Sequence, residues 1–140
     1  MHDLIRRQRA VEACVQRFVG KPYKPGSRDC VKLAGHAMHM MGRRVGLTKG
    51  VRYSSEAGAL KALRKSGFKT LLDAADSTGM VRIAPAAALP GDIMALPASG
   101  AFGCALGVYA GNNLVLTYQD GHDQCVRVRL EQAPLTAWRV

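Results

Sequence analysis

Cys30 stands at the head of an apolar helical pattern, in the run Gly26-Ser27-Arg28-Asp29-Cys30 followed by Val31-Lys32-Leu33-Ala34-Gly35-His36-Ala37-Met38. A helix N-terminus carries partial positive charge and unpaired N–H groups, so a thiol placed there is drawn toward its thiolate. That is the setting of a nucleophilic cysteine. Asp29 pulls the other way, since a neighbouring carboxylate raises a thiol's pKa; its plain role is the helix N-cap. A thiolate nucleophile needs a base or ion-pair partner, and that base needs an orienting group. The histidines are His2, His36, His39 and His122. His36 lies six residues along the same helix, about 600° of rotation away, and so faces away from Cys30. His39 is far along the helix axis, and His2 is at a terminus. His122 remains, in Gln119-Asp120-Gly121-His122-Asp123, with Asp120 or Asp123 to orient its ring. The plain alternatives are a solvated polar turn at 119–123 and a small apolar residue at Cys30.

The rest of the chain bounds these options. With 140 residues and 48% apolar content, a single domain over 1–140 with a real core is expected. No apolar run approaches the roughly 20 residues needed to span a bilayer, so membrane insertion is not expected. The segment Met1–Gly20 has no continuous apolar stretch of the kind a secretory signal needs, which predicts a protein made in the cytoplasm. Cys14, Cys30, Cys104 and Cys125 include no C-x-x-C pair, so neither zinc nor an iron–sulfur cluster is expected, and no cofactor is implied. Cys14, Cys104 and Cys125 read as small core residues. The net charge is +10 and basic residues are spread along the chain, among them Arg6, Arg7, Arg9, Arg43, Arg44, Lys61, Arg64, Lys65, Lys69, Arg127 and Arg129. Any one of these reads as solvated surface; the total favours an anionic partner.

These residues need elements to hold them. Asp3 reads as the cap of a first helix over about 4–19, with Leu4, Val11, Cys14, Val15 and Phe18 on its inner face and the arginines mostly elsewhere. Lys21-Pro22-Tyr23-Lys24-Pro25-Gly26 reads as a stiff loop. A second helix runs from about Cys30 to Met41, with Ser27 or Asp29 as cap and Gly42 as stop. Its inner face is Val31, Leu33, Ala34, Ala37, Met38 and Met41. Ser54 or Ser55 caps a third helix ending at Gly67, with Ala57, Leu60 and Leu63 or Arg64 facing in. A helical turn covers Thr70–Ala75, and Pro85–Pro90 reads as a turn. After Pro90 the apolar period changes to two. Strands are predicted at Asp92–Leu96, Cys104–Ala110, Leu114–Tyr118, Cys125–Leu130 and Ala137–Val140, with hairpin turns at Gly111-Asn112 and Asp120-Gly121. The fold class is therefore α+β, with N-terminal helices packed on a C-terminal antiparallel five-stranded meander.

This order resembles the NlpC-type cysteine peptidases, which have a papain-like fold. The resemblance rests on Phe18-Val19-Gly20-Lys21-Pro22-Tyr23 ahead of the nucleophile, Asp29-Cys30 with Leu33 at the helix start, Leu89-Pro90-Gly91-Asp92-Ile93 opening a strand, and Leu106-Gly107-Val108-Tyr109-Ala110-Gly111-Asn112 as the next strand and turn. More narrowly, the chain is similar to small NlpC-like phage tail-tip proteins, in Tyr53–Leu63 and in the terminal Ala137-Trp138-Arg139-Val140. The resemblance implies a catalytic Cys30, but the family's histidine position is Ala105 here, and the residue that would hold the ring is about Thr117. Both positions are vestigial on this reading. If Ala105 lies opposite about Thr117 or Tyr118, the 119–123 loop emerges at the same rim, and His122 with Asp120 or Asp123 is the substitute base.

Three functions follow as expectations. The first is a structural component of a phage tail tip or baseplate, catalytically degenerate, located in the virion tail and docked on acidic faces of other tail proteins. The second is a cysteine peptidase acting on peptidoglycan through Cys30 and His122. The third is a basic nucleic-acid-binding module; the recognisable reader motifs are absent and aromatic residues are few, which disfavours nucleic acid as a partner.

Overall fold

The computed structural model describes residues 2–43, 47, 52–100, 102–118 and 122–140. Helix α1 (His2–Phe18) buries Ala10, Val11, Cys14 and Phe18. Two expectations for it are corrected. Asp3 lies within the first helical turn, where its carboxylate takes Arg6 at 3.1 Å and Arg7 at 2.7 Å. Leu4 is half exposed, while Arg7 is buried. Helix α2 (Cys30–Met40) starts at Asp29, whose Oδ1 accepts the Lys32 N–H at 2.8 Å. It buries Val31, Leu33, Ala34, Ala37 and Met38, and Gly42 takes the left-handed conformation (φ +87°) that ends helices. Helix α3 (Glu56–Lys65) is capped by the Ser55 hydroxyl on the Gly58 N–H. Its buried face is Ala59, Ala62 and Leu63; Ala57 and Arg64, placed on the inner face above, are exposed. A short α4 (Leu71–Asp76) is capped by Thr70, and Pro85–Ala87 makes one 3-10 turn.

The sheet has six strands, not five: β1 (Val81–Ile83), β2 (Ile93–Leu96), β3 (Ala105–Gly111), β4 (Leu114–Thr117), β5 (Val126–Arg129) and β6 (Thr136–Arg139). Their spatial order is β1-β6-β2-β3-β4-β5, and every neighbouring pair is antiparallel. Only β2 to β5 form a meander. The chain then doubles back to insert β6 between β1 and β2. The hairpin between β3 and β4 turns at Asn112 and Asn113, both left-handed (φ 52° and 61°), one residue later than expected. One sheet face packs Ile93, Leu106, Val108, Leu116 and Trp138 against the helices. The other buries Met94, Leu96, Val115 and Ala137. Among the described residues, no helix is long and apolar enough to cross a membrane.

Helices and sheet are tied together by Asp92, which is fully buried at the Pro90-Gly91-Asp92 turn. Its Oδ1 accepts from Arg7 (2.8 Å) and from the Val140 N–H (3.0 Å); its Oδ2 accepts from Arg139 (2.9 Å) and the Leu89 N–H (2.9 Å). Arg7 also donates to the carbonyls of Pro90 and Val140. Removing one member of a buried pair leaves the other charge stranded, so Arg7→Ala should lower unfolding stability by about 3 kcal/mol. Arg6→Ala, whose pair with Asp3 is exposed on both sides, should change it by less than about 0.5 kcal/mol. Urea denaturation of both variants measures the contrast, and equal effects would contradict the role given to Asp92.

Candidate functional site

The start of α2, the loop before it, the N-terminal end of β3, and Ala98, Ser99 and Phe102 line a cleft of about 300 Å³. The loop before α2 is wound tightly: Lys24 and Arg28 exchange backbone N–H bonds, and the Arg28 side chain donates to the Pro22 carbonyl. Gly26 sits at φ +91°, where a Cβ would strike the Tyr53 carbonyl. Asp29 closes this loop onto the helix. Besides capping α2, its Oδ2 accepts from the Gly26 N–H at 2.9 Å and the Tyr53 hydroxyl at 2.7 Å. Burial, with Asp29 beside it, pushes the Tyr53 hydroxyl up, so it stays a proton donor. The Lys32 ammonium stands 5.5 Å over the same ring. On the cleft's other wall, Tyr23 donates to Glu56 at 2.9 Å and packs 5.9 Å from the Tyr118 ring.

Cys30 lines this cleft together with Cys104, Ala105 and His122. The helix start is expected to lower its thiol pKa, and the structure corrects that. Burial pushes the Cys30 thiol up to about 12, and Asp29 adds to the rise. The N–H groups of Leu106 and of Cys30 itself work in the opposite direction and do not overcome burial. Cys30 as a residue is only partly buried, yet desolvation of its charged form outweighs the helix terminus. The other thiols behave alike: Cys14 and Cys125 are pushed to about 12 and Cys104 to about 11, all chiefly by burial. These three are the small core residues that the sequence indicates.

The remaining candidates divide. Ala105 is buried in the cleft wall and offers neither a proton acceptor nor a charge. His122 reaches the cleft rim, is exposed, and makes no hydrogen bond to any described residue. Asp120 lies outside the described residues. Asp123 is exposed and gives its backbone carbonyl to the Tyr23 N–H. Thr117 does not line the cleft: it is fully buried, and its hydroxyl donates to the Leu106 carbonyl at 3.3 Å. It pairs with Gly107, so the β3–β4 register differs by one or two residues from the one expected for Ala105, opposite about Thr117 or Tyr118. His36 packs edge-on against Phe18, and His39 is exposed near the end of α2. The side chain of His2 lies outside the described residues. Tyr23, Tyr53 and Glu56 are cleft residues that the sequence reading did not single out. Their signal was weak, because Tyr23 and Tyr53 stand in irregular segments where no periodicity marks them. Among the described residues, no group of three or more His, Cys, Asp and Glu could hold a metal ion.

The arrangement is therefore a small, aromatic-lined cleft with a protonated thiol on its floor, set in an α+β domain with helices on one face of an antiparallel sheet. Residues 4–140 match the family described as a domain of unknown function, DUF6950, and the chain belongs to that family. No curated protein matches the chain.

Because the Cys30 pKa lies far above neutrality, its alkylation by iodoacetamide should be slow at pH 8 and rise about tenfold per pH unit to pH 10. Mass spectrometry that resolves the individual cysteines measures this; a rate already level at pH 8 would contradict the buried, protonated thiol. The same shifts set a stability trend. Each thiol is raised from an ordinary value of 9.0, so the unfolded chain loses its protons first. Folding stability should be fully present below about pH 9 and fall as pH climbs toward 12, which denaturation curves across that window would check.

Proposed function

We propose that this chain is an NlpC-type, papain-like domain that serves as a structural component of a phage tail tip or baseplate, with its peptidase chemistry lost. The observation that carries the loss of chemistry is Ala105 in the cleft wall, beside a thiol held protonated. The assignment to the fold is supported by the order of parts: Asp29-Cys30 opening α2, Pro90-Gly91-Asp92 opening β2, and β3 leading into the Asn112-Asn113 turn. Asp29 fits the loss of chemistry, because its described side-chain bonds go to the loop, the helix start and Tyr53. Partners on this reading are acidic faces of other tail proteins, reached through a surface of net charge +10. The place of action is the virion tail. Mass spectrometry of purified virions should find the chain among tail proteins; its presence in the lysate but not in particles would overturn the proposal.

A second reading keeps the enzyme, because His122 lines the same cleft as Cys30. There, Cys30 would attack a peptidoglycan amide with His122 as base. One pair of variants separates the readings. On the structural reading His122→Ala leaves the alkylation profile of Cys30 unchanged. Ala105→His restores an imidazole at the cleft wall and should raise the neutral-pH rate about tenfold or more. A His122→Ala variant that slows alkylation at neutral pH, and abolishes lysis of purified peptidoglycan, would favour the enzyme.

A further inference from the structure

Among the described residues the edge of the sheet at β5 is incompletely covered, and the covered part shows which way its backbone points. Cys125 gives its carbonyl to the Gly20 N–H (2.9 Å) and its N–H to the Lys21 carbonyl (3.2 Å), while Asp123 gives its carbonyl to the Tyr23 N–H (2.7 Å). The segment after α1 thus closes the edge at Asp123 and Cys125. Backbone groups alternate sides along a strand, so those of Arg127 and Arg129 face the same open side. Val126 and Val128 face β4, as does Leu130, whose N–H reaches the Asn113 carbonyl. No described residue pairs with the outward groups of Arg127 and Arg129.

The side chains add a pattern to this edge. Arg127 and Arg129 share one face of β5, are exposed, and form no ion pair with any described carboxylate. On the opposite face Val128 lines a groove of about 490 Å³ with Leu96, Val115 and Leu130, and Arg129, His122 and Glu131 border the same groove. A strand added here would carry carboxylates at alternate positions beside the arginines and apolar side chains over the groove between them. A second copy of this chain fits poorly. Antiparallel pairing of β5 with itself sets arginine against arginine, and like charges placed opposite one another destabilise a ladder.

We infer that the open edge of β5 is a docking site for an extended segment of another protein, added as a seventh strand, in which acidic and apolar residues alternate. Arg127 and Arg129 then do two things: they repel copies of this chain and select an acidic strand. Main-chain bonds supply the attachment, and the alternation supplies the selectivity. The β5 edge does not include Cys30, and its groove shares only His122 with the lining of the Cys30 cleft, so a reactive Cys30 would overturn the preceding proposal and leave this one standing.

The test uses the folded chain and an acetylated, amidated hexapeptide Glu-Val-Glu-Val-Glu-Val. A control peptide has the same composition in blocks, Glu-Glu-Glu-Val-Val-Val. The alternating peptide should slow amide hydrogen exchange at Arg127 and Arg129 about tenfold or more, and the block peptide should not. The double variant Arg127→Glu/Arg129→Glu should weaken its binding at least about tenfold, whereas Lys61→Glu/Lys65→Glu, an equal charge change on α3, should stay within about threefold. Equal loss from both variants would reduce the effect to net charge and overturn the inference. Equal protection by the block peptide or by a DNA duplex, or no protection of these amides at all, would also overturn it.

Discussion

A single buried carboxylate organises this molecule. Asp92 is fully buried, and four donors converge on it: Leu89 from its own turn, and from two distant stretches Arg7 of the first helix and Arg139 with the Val140 N–H at the end of the last strand. A charge in such a place is tolerable only when every lone pair is used and opposite charge is adjacent. Satisfying it fixes the first helix over the turn that opens β2 and locks β6 alongside β2. The helix–sheet spacing then follows, and with it the meeting of α2 and β3 that forms the cleft.

At the cleft, two opposing effects act on one sulfur. The helix start offers N–H groups and positive potential, while burial of the sulfur, in a cleft also lined by Tyr23, Tyr53 and Tyr118, disfavours its charged form. Burial wins, and the thiol keeps its proton. The bonds to Asp29 fit the same outcome, since they anchor a loop and a tyrosine and leave the carboxylate no free partner to recruit. What remains is a well-built pocket whose polar groups are mostly occupied with one another.

How far the sequence revealed this depended on whether a signal was local. Helix α2 was readable because its cap, its apolar face and its stop glycine all lie within about one dozen positions, and each has a direct physical reason. Ala105 stands out only through the family resemblance; its strand pattern by itself marks nothing as missing. Strand β1 was not readable, since three residues are too few to display a period and its partner β6 is far away in the chain. Arg7 was misplaced because a helical wheel assigns arginine to solvent, and nothing nearby announces the distant Asp92. The β3–β4 register slipped for a similar reason: the turn falls at Asn112-Asn113, and the irregularity between Tyr109 and Gly111 shifts every pairing beyond it. The partner expected for position 105 was therefore misjudged by one or two residues.

The central place of β6 bears on how the polypeptide reaches this state. Neighbours in the sheet are mostly neighbours in the chain, except that the strand formed last must slide between the first two. Until residues 136–139 have left the ribosome, β1 has no ladder to join and one edge of β2 stays open. The helices and the β2–β5 meander can gather earlier, but the sheet closes only after synthesis has passed its final strand. Such long-range pairing slows folding and leaves a transient sticky edge. Newly made chains are therefore most exposed to misassociation before that strand inserts.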